Sequence, residues 1–259
     1  MKLPLDKKRP LVQTYNGADV IGTIDEELFG KLQAFSKKEN VTLFMTLLTM
    51  LNVLFYHYTG QSDIVLGTVI AGREHADLRR QVGYYLNTLV LRTYCDSSDT
   101  FIGVLKKGKD VLTGAYHHQA YPFDRLVEDL GGHRDVSRHP FFDVLVDMVN
   151  YHQPGHLERN RSRDINTQDI RGENFGIRTV VAKFDLAIYL LEGLHTMTLR
   201  FEYNTDLFER KTIERMVNRF RTLVEMALEK PDSLISRLRL EQKHSLPAVQ
   251  SISREAKYE

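Results

Sequence analysis

Apolar positions along the chain switch between helical and extended spacing, and the switches divide it into elements. Val20 to Ile24 reads as a short strand. Asp25-Glu26-Glu27 then supplies negative charge where the backbone dipole of a helix favours it, and Leu28, Leu32 and Phe35 follow at helical spacing up to Lys38. Thr42 caps a second helix, Leu43 to Tyr58, apolar nearly all round, as suits a helix inside a large fold; Thr59-Gly60 stops it. Two apolar runs of strand length come next. Asp63 to Ala71 contains Gly67 and ends at Gly72-Arg73; Leu86 to Arg92 is entered through Val82-Gly83 and two tyrosines. Near-continuous apolar runs of this kind predict strands buried on both faces, in the centre of a sheet. Asn87 and Thr88 within the second run must then find partners, because an unpaired buried amide costs a few kcal/mol.

Further along, Thr100 caps a helix from Phe101 to about Gln119, which Gly103, Gly108 and Gly114 each weaken by about 1 kcal/mol relative to alanine. Pro122 opens a short helix, Phe123 to Leu130, stopped by Gly131-Gly132, and Phe141 to Asn150 alternates as a strand. Tyr151 to Asn174 is almost without apolar residues and reads as a long solvated loop, of the kind that is often functional. Strand-like runs follow at Ile177–Val181, Asp185–Leu191 and Thr196–Tyr203. A last helix, Glu209 to Glu229, carries Ile213, Met216, Phe220 and Leu223 along one stripe. Consecutive strands beside interleaved helices predict an α/β fold: a mixed, largely antiparallel sheet with helices mainly on one face.

Length sets the domain plan. A chain of 259 residues buries roughly 70–75% of its unfolded surface and needs neither disulfide nor metal for its core. Residues 1–14, with Pro4, Pro10 and the basic run Lys7-Lys8-Arg9, read as a linker or lead-in; residues 15–235 form the body and 236–259 a polar tail. The formal net charge of +1 and the lack of a basic stripe argue against nucleic acid. The lone Cys95 suits a reducing cytoplasm, and the apolar window Leu43–Tyr58 is too short and polar for a membrane span.

Spacing alone assembles no catalytic set. His117-His118 reads as a surface pair at a helix C-terminus, although adjacent histidines can hold a general base. His133-Arg134-Asp135 matches the start of a kinase catalytic loop but stands without its other motifs. No metal-ligand spacing, P-loop, dinucleotide fingerprint or G-x-S-x-G is present.

Several stretches in order nevertheless resemble the condensation domains of nonribosomal peptide synthetases, specifically their C-terminal half. Val82-Gly83-Tyr84-Tyr85-Leu86-Asn87-Thr88, continuing to Arg92, is similar to V-G-x-F-V-N-T…R. His118-Gln119-Ala120-Tyr121-Pro122-Phe123-Asp124 is similar to H-Q-D-x-P-F-E, with Ala for Asp and Asp for Glu. Arg134-Asp135-Val136-Ser137-Arg138-His139-Pro140-Phe141 is similar to R-D-x-S-R-N-P-L, and Asp63–Arg73, Lys183–Leu186 and Glu202–Phe208 also match family runs.

The resemblance implies a chloramphenicol-acetyltransferase-like lobe, one of two that form a V. In such domains donor and acceptor thioesters arrive on the phosphopantetheine arms of peptidyl carrier proteins, and an amide forms between them; no cofactor is bound directly. The family's His-His-x-x-x-Asp-Gly motif belongs to the N-terminal lobe and is absent here, since His117-His118 is followed by Gln-Ala-Tyr-Pro-Phe. No residue of this chain is therefore expected to be catalytic and none to bind metal. Arg73, Tyr85, Asn87, Thr88, Gln119 and Asp185 are the candidates for a substrate tunnel or lobe interface, with Arg73 bracing the opposite lobe and Asn87 orienting backbone or a pantetheine amide. Pro122, Phe123, Arg134, Asp135, Ser137 and Arg138 read as structural, a capping and ion-pair cluster. Tyr151–Asn174 is the candidate crossing between lobes, the expected partners being carrier proteins and the N-terminal lobe. An apolar inner face rimmed by polar groups invites self-association. Alone, such a lobe is expected to be inactive; it either docks carriers without turnover or acts with a partner lobe in trans.

Overall fold

The computed structural model describes residues 1–73, 75–131, 135–150 and 180–238. Among the described residues six strands form one sheet in the order β1-β6-β5-β4-β2-β3: β1 Gly17–Ile24, β2 Asp63–Ile70, β3 Asn87–Tyr94, β4 Val144–Asn150, β5 Leu186–Glu192 and β6 Met197–Asn204. The β1/β6, β5/β6 and β2/β3 pairs are antiparallel, whereas β2/β4 and β4/β5 are parallel. The sheet is thus mixed, as the alternation of elements predicted.

Helices α1 (Glu26–Lys38), α2 (Leu43–Thr59), α3 (Phe101–His117) and α5 (Arg210–Glu229) cover one face. Alternate strand residues, among them Ile64, Leu66, Leu89, Leu91, Ile188, Leu199 and Phe201, meet them in one large core. Local chemistry sets the helix starts: the side chains of Asp25, Thr42 and Thr100 accept from the amides of Leu28, Met45 and Gly103. Gly60, at φ 64°, closes α2 in the left-handed region.

Among the described residues the opposite face is only partly covered. A small cluster of Phe142, Leu145 and Ala187, with Phe123 of the short helix α4 (Phe123–Asp129), packs there. Toward β1 the same face carries Asp19, Arg200 and Glu202, with Arg200 bonded to both acids. This corrects the expectation that the Asp63–Arg92 strands are central and buried on both faces. β3 is the sheet edge, and its Arg92 is an exposed partner of Asp63 across the β2/β3 ladder. An apolar run reads alike whether both its faces are covered or one face meets helices while the other meets a few aromatic rings.

The lead-in is fastened to the body. Leu3 is buried, Asp6 and Lys7 donate their amides to the Leu207 carbonyl, and Asn16 bridges to Val181. Of the expected strand Ile177–Val181, residues 177–179 lie outside the described residues, as does all of Tyr151–Asn174. The chain beyond Pro231 stays packed through Ile235 and Leu238, and the tail from 239 onward also lies outside. Among the described residues no single helix is long and apolar enough to cross a membrane.

The glycines of α3 differ in consequence. A Cβ on Gly108 would sit 2.9 Å from the Thr49 hydroxyl of α2, so this glycine lets the helices close. A Cβ on Gly114, or on Gly30 of α1, meets nothing within 4 Å. Gly30→Ala and Gly114→Ala should each stabilise by about 0.5–1 kcal/mol in denaturant unfolding, whereas Gly108→Ala should not.

Candidate functional site

The expected site residues fall into two places. The first is an open groove of about 450 Å³ between the β2–β3 connection and the turn after α3, lined by Gly72, His75, Leu78, Tyr84, Tyr85, Leu86, Asn87, Gln119, Ala120 and Pro122. It brings Tyr85, Asn87 and Gln119 together. Thr88 lies in an adjoining hollow of about 360 Å³ with His118, Tyr121 and Leu126. His117 ends α3 and His118 caps it, both exposed.

Backbone geometry shapes this groove. Gly72 adopts φ 60°, and a Cβ there would fall 1.9 Å from the Tyr85 carbonyl, so only glycine permits the close return of the loop. The connection holds a short 3-10 turn, Ala76–Arg80, that periodicity did not foretell. Arg73 knits the loop together by donating to the carbonyls of Leu78, Gln81 (2.8 Å) and Gly83 (3.1 Å). Its guanidinium also lies 4.5 Å from the centre of the Tyr85 ring. Those contacts occupy the guanidinium that was expected to brace an opposite lobe. Asn87 is equally committed. Its amide nitrogen donates to the carbonyls of Gln119 (2.9 Å) and Tyr121 (2.8 Å), and its oxygen accepts from the amides of Thr88 (2.9 Å) and Phe123 (3.1 Å). One side chain thereby fixes the Gln119–Phe123 turn to the edge strand. Its bonds run to the chain's own backbone, not to an open cleft.

The second place lies at the amino ends of β4 and β5. Asp185, buried, pairs through both oxygens with Arg9, whose Nη1 stands 2.9 Å from Oδ1 and also donates to the Ser137 carbonyl. Asp143, also buried, pairs in the same way with Arg138. Asp135 accepts from the amide and hydroxyl of Ser137, which holds its carboxyl below the usual range. Burial pushes the Asp185 carboxyl up; Arg9 opposes this and neighbouring Asp143 adds to it. Arg134 lies outside the described residues. The capping and ion-pair pattern expected of Asp135, Ser137 and Arg138 is present, and Asp185 belongs to it, away from the groove. Arg9 went unrecognised because a basic residue in a proline-containing lead-in looks solvated, and nothing local signals a partner 176 positions away.

Between the two places Phe123, His139, Phe142 and Phe184 stack, His139 lying 4.5 Å from the Phe142 ring and 4.8 Å from that of Phe184. Pro122 opens α4 ahead of Phe123. Phe141, at φ 66°, turns the chain with Phe142 N–H on the Pro140 carbonyl, and the Phe142 ring lies where a Cβ on Gly67 would be. Burial holds the His139 imidazole below its ordinary value, and likewise His57, whose Nε2 lies 2.9 Å from the Ile235 carbonyl. Both histidines are therefore neutral in the fold at pH values where the unfolded chain already takes up a proton. Their contribution is fully present above about pH 6.5 and is lost as pH falls below it. Thermal unfolding at pH 7.5 and 5.5 should show that loss, and His139→Leu should reduce it.

Burial pushes the Cys95 thiol up to about 12. Among the described residues no group of three or more His, Cys, Asp or Glu stands close enough to hold a metal ion.

Known proteins share both the sequence and the arrangement. Residues 1–245 match the family model described as "Condensation domain". Bacitracin synthase 3 of Bacillus licheniformis is 37% identical over 239 residues, which is 91% of this chain and 4% of that protein. Tyrocidine synthase 3 of Brevibacillus parabrevis is 35% identical over 236 residues, again 91% of this chain and 4% of that protein. Two solved structures share the fold. The four-domain nonribosomal peptide synthetase holo-AB3403, bound to AMP and glycine, superimposes with a TM-score of 0.83 at 24% identity, covering 93% of this chain and 19% of that one. The X-domain from teicoplanin biosynthesis gives a TM-score of 0.77 at 23% identity, covering 92% and 53% respectively. The chain thus spans a small part of the synthetases it matches and about half of the X-domain. The family model reaches across both places where the site residues gather, and the chain belongs to the condensation-domain family.

Proposed function

We propose that this chain is the C-terminal lobe of a nonribosomal peptide synthetase condensation domain and forms the acceptor-side wall of its tunnel. In that tunnel the amine of a carrier-bound aminoacyl thioester attacks the carbonyl of a carrier-bound acyl or peptidyl thioester. The new amide bond forms as the donor's thiol leaves. The observation that carries this reading is a sheet whose two faces differ: among the described residues four helices bury one side, and the other side is only partly covered. Beside it the groove is lined by Tyr84 and Leu86, both exposed, as suits a wall made to face another lobe. The half-length match to the X-domain supports the same division. In this reading the chain holds and orients, and the phosphopantetheine arm is the tether of the substrates rather than a resident cofactor. Arg73 and Asn87 keep the groove in shape, and the proton of the attacking amine goes to the histidine of the other lobe. The peptidyl carriers are the partners, and the setting is the reducing cytoplasm that a free Cys95 suits.

The test mixes this chain with a separately produced lobe bearing His-His-x-x-x-Asp-Gly and two loaded carriers, and follows amide formation by mass spectrometry. Product is expected only with both lobes present. Product from this chain alone overturns the reading of an inactive lobe. Saturable carrier binding with no product at any lobe concentration replaces it with that of a docking module.

A further inference from the structure

The parallel neighbours β2 and β4 meet at one register pair, Gly67 opposite Leu145, whereas β4 and β5 stay in register from Val144/Leu186 to Asn150/Glu192. Pairing between β2 and β4 therefore stops short of their carboxyl ends. A hollow of about 180 Å³ opens there, lined by Phe44, Thr68, Val69, Tyr116, Asp147 and Met148. Crevices beyond the carboxyl ends of parallel strands are where open α/β sheets take ligands. Phe44 belongs to the first turn of α2 and Tyr116 to the last turn of α3, so helix ends close the hollow from the covered side of the sheet.

Asp147 gives the hollow its chemistry. It is half-buried in the apolar run Val144–Val149 of β4 and makes no ion pair among the described residues. Burial pushes its carboxyl up, opposed by the Met148 amide. A half-buried carboxylate is favourable only beside a cation or several donors. Of the other lining residues Phe44, Val69 and Met148 are apolar and Thr68 and Tyr116 carry hydroxyls; the exposed lining is mainly polar and admits a small cation on a short alkyl stem. The aromatic faces add to the attraction for an ammonium group. A single carboxylate does not make a divalent-metal site.

We propose that this hollow is a subsite for a primary alkylammonium group, with Asp147 as its counter-ion. The amine is the cationic side chain of an amino acid or peptide brought to the lobe on a carrier. The source of the amine rests on the condensation-domain reading; the binding does not.

The test titrates n-butylammonium against the chain, with n-butanol as the neutral control, and follows amide and methyl resonances by NMR. Saturable shifts confined to the hollow are expected, at least about tenfold weaker for butanol and for Asp147→Asn, a factor worth about 1.4 kcal/mol. Equal response to amine and alcohol, or none to the amine, overturns the subsite. A condensation assay with the histidine-bearing lobe then compares thioesters of aminoacyl groups carrying n-butylammonium or n-butyl side chains. Preference for the cation, lost in Asp147→Asn, supports the assignment. Equal rates unaffected by the substitution overturn its part in substrate choice. No product from either, with saturable amine binding intact, overturns the condensation reading and leaves the ammonium site standing.

Discussion

Asp185→Ala should lower the unfolding free energy by about 3–5 kcal/mol, the loss typical of breaking a buried ion pair from one side. The Asp185 side chain is 3% exposed and the Arg9 side chain 19%, so water reaches neither well. Removing the carboxylate leaves the guanidinium with the Ser137 carbonyl alone and releases the lead-in from the start of β5. Arg9→Ala should be milder at low pH, because burial already pushes the Asp185 carboxyl up and a proton can replace the missing cation. The pair Arg9→Ala with Asp185→Ala should cost less than the sum of the single changes, since neither charge is then stranded. Urea unfolding of the four proteins measures the coupling. A control comes from Arg92 and Asp63, joined by two bonds of 2.8 Å but open to solvent; breaking that pair should leave the urea midpoint nearly unchanged. Equal losses in the buried and exposed pairs would refute the argument.

The cluster around Asp185 therefore locates parts more than it adds net stability. Its two arginines come from the lead-in and from the segment before β4, and its two aspartates precede β4 and β5. A charge in the wrong register would be stranded in the core. Ion pairs so placed specify one arrangement of the chain ends against the sheet.

Elements whose causes are local could be read from the residues. Asp25, Thr42 and Thr100 mark helix starts because a side-chain oxygen beside free amides acts within three residues. The α5 stripe of Ile213, Met216, Phe220 and Leu223 is buried as its spacing requires. The edge position of β3 was not legible, because alternation reports which residues turn inward and says nothing of how many strands lie beyond. The motif resemblance found the Asn87 and Gln119 neighbourhood but not its internal logic. Asn87 and Gln119 are 32 positions apart, and only the folded turn brings two carbonyls and two amides around one amide group. The hollow at Asp147 was equally hidden, since it depends on where two parallel strands stop pairing.

Asn87→Ala should cost about 2–3 kcal/mol, less than four full hydrogen bonds because the groove is open and water can rehydrate part of the turn. The loss should be local first: the Thr88 and Phe123 amides, both held by the Asn87 oxygen, should exchange with solvent at least about tenfold faster, while the buried core of α2 keeps its protection. Asn87→Asp should be no better. It keeps an acceptor for those amides but turns a carboxylate toward the Gln119 and Tyr121 carbonyls, where two donors stood. Hydrogen exchange with the urea midpoint decides between a clamp and a substrate contact. A side chain that served only an incoming pantetheine amide could be removed with stability and exchange intact, lowering condensation alone. If instead the turn loosens, any loss of condensation follows from a groove whose wall has moved. Restoring the turn by a second change away from Asn87 should then recover activity without the amide, an outcome that a direct contact does not allow.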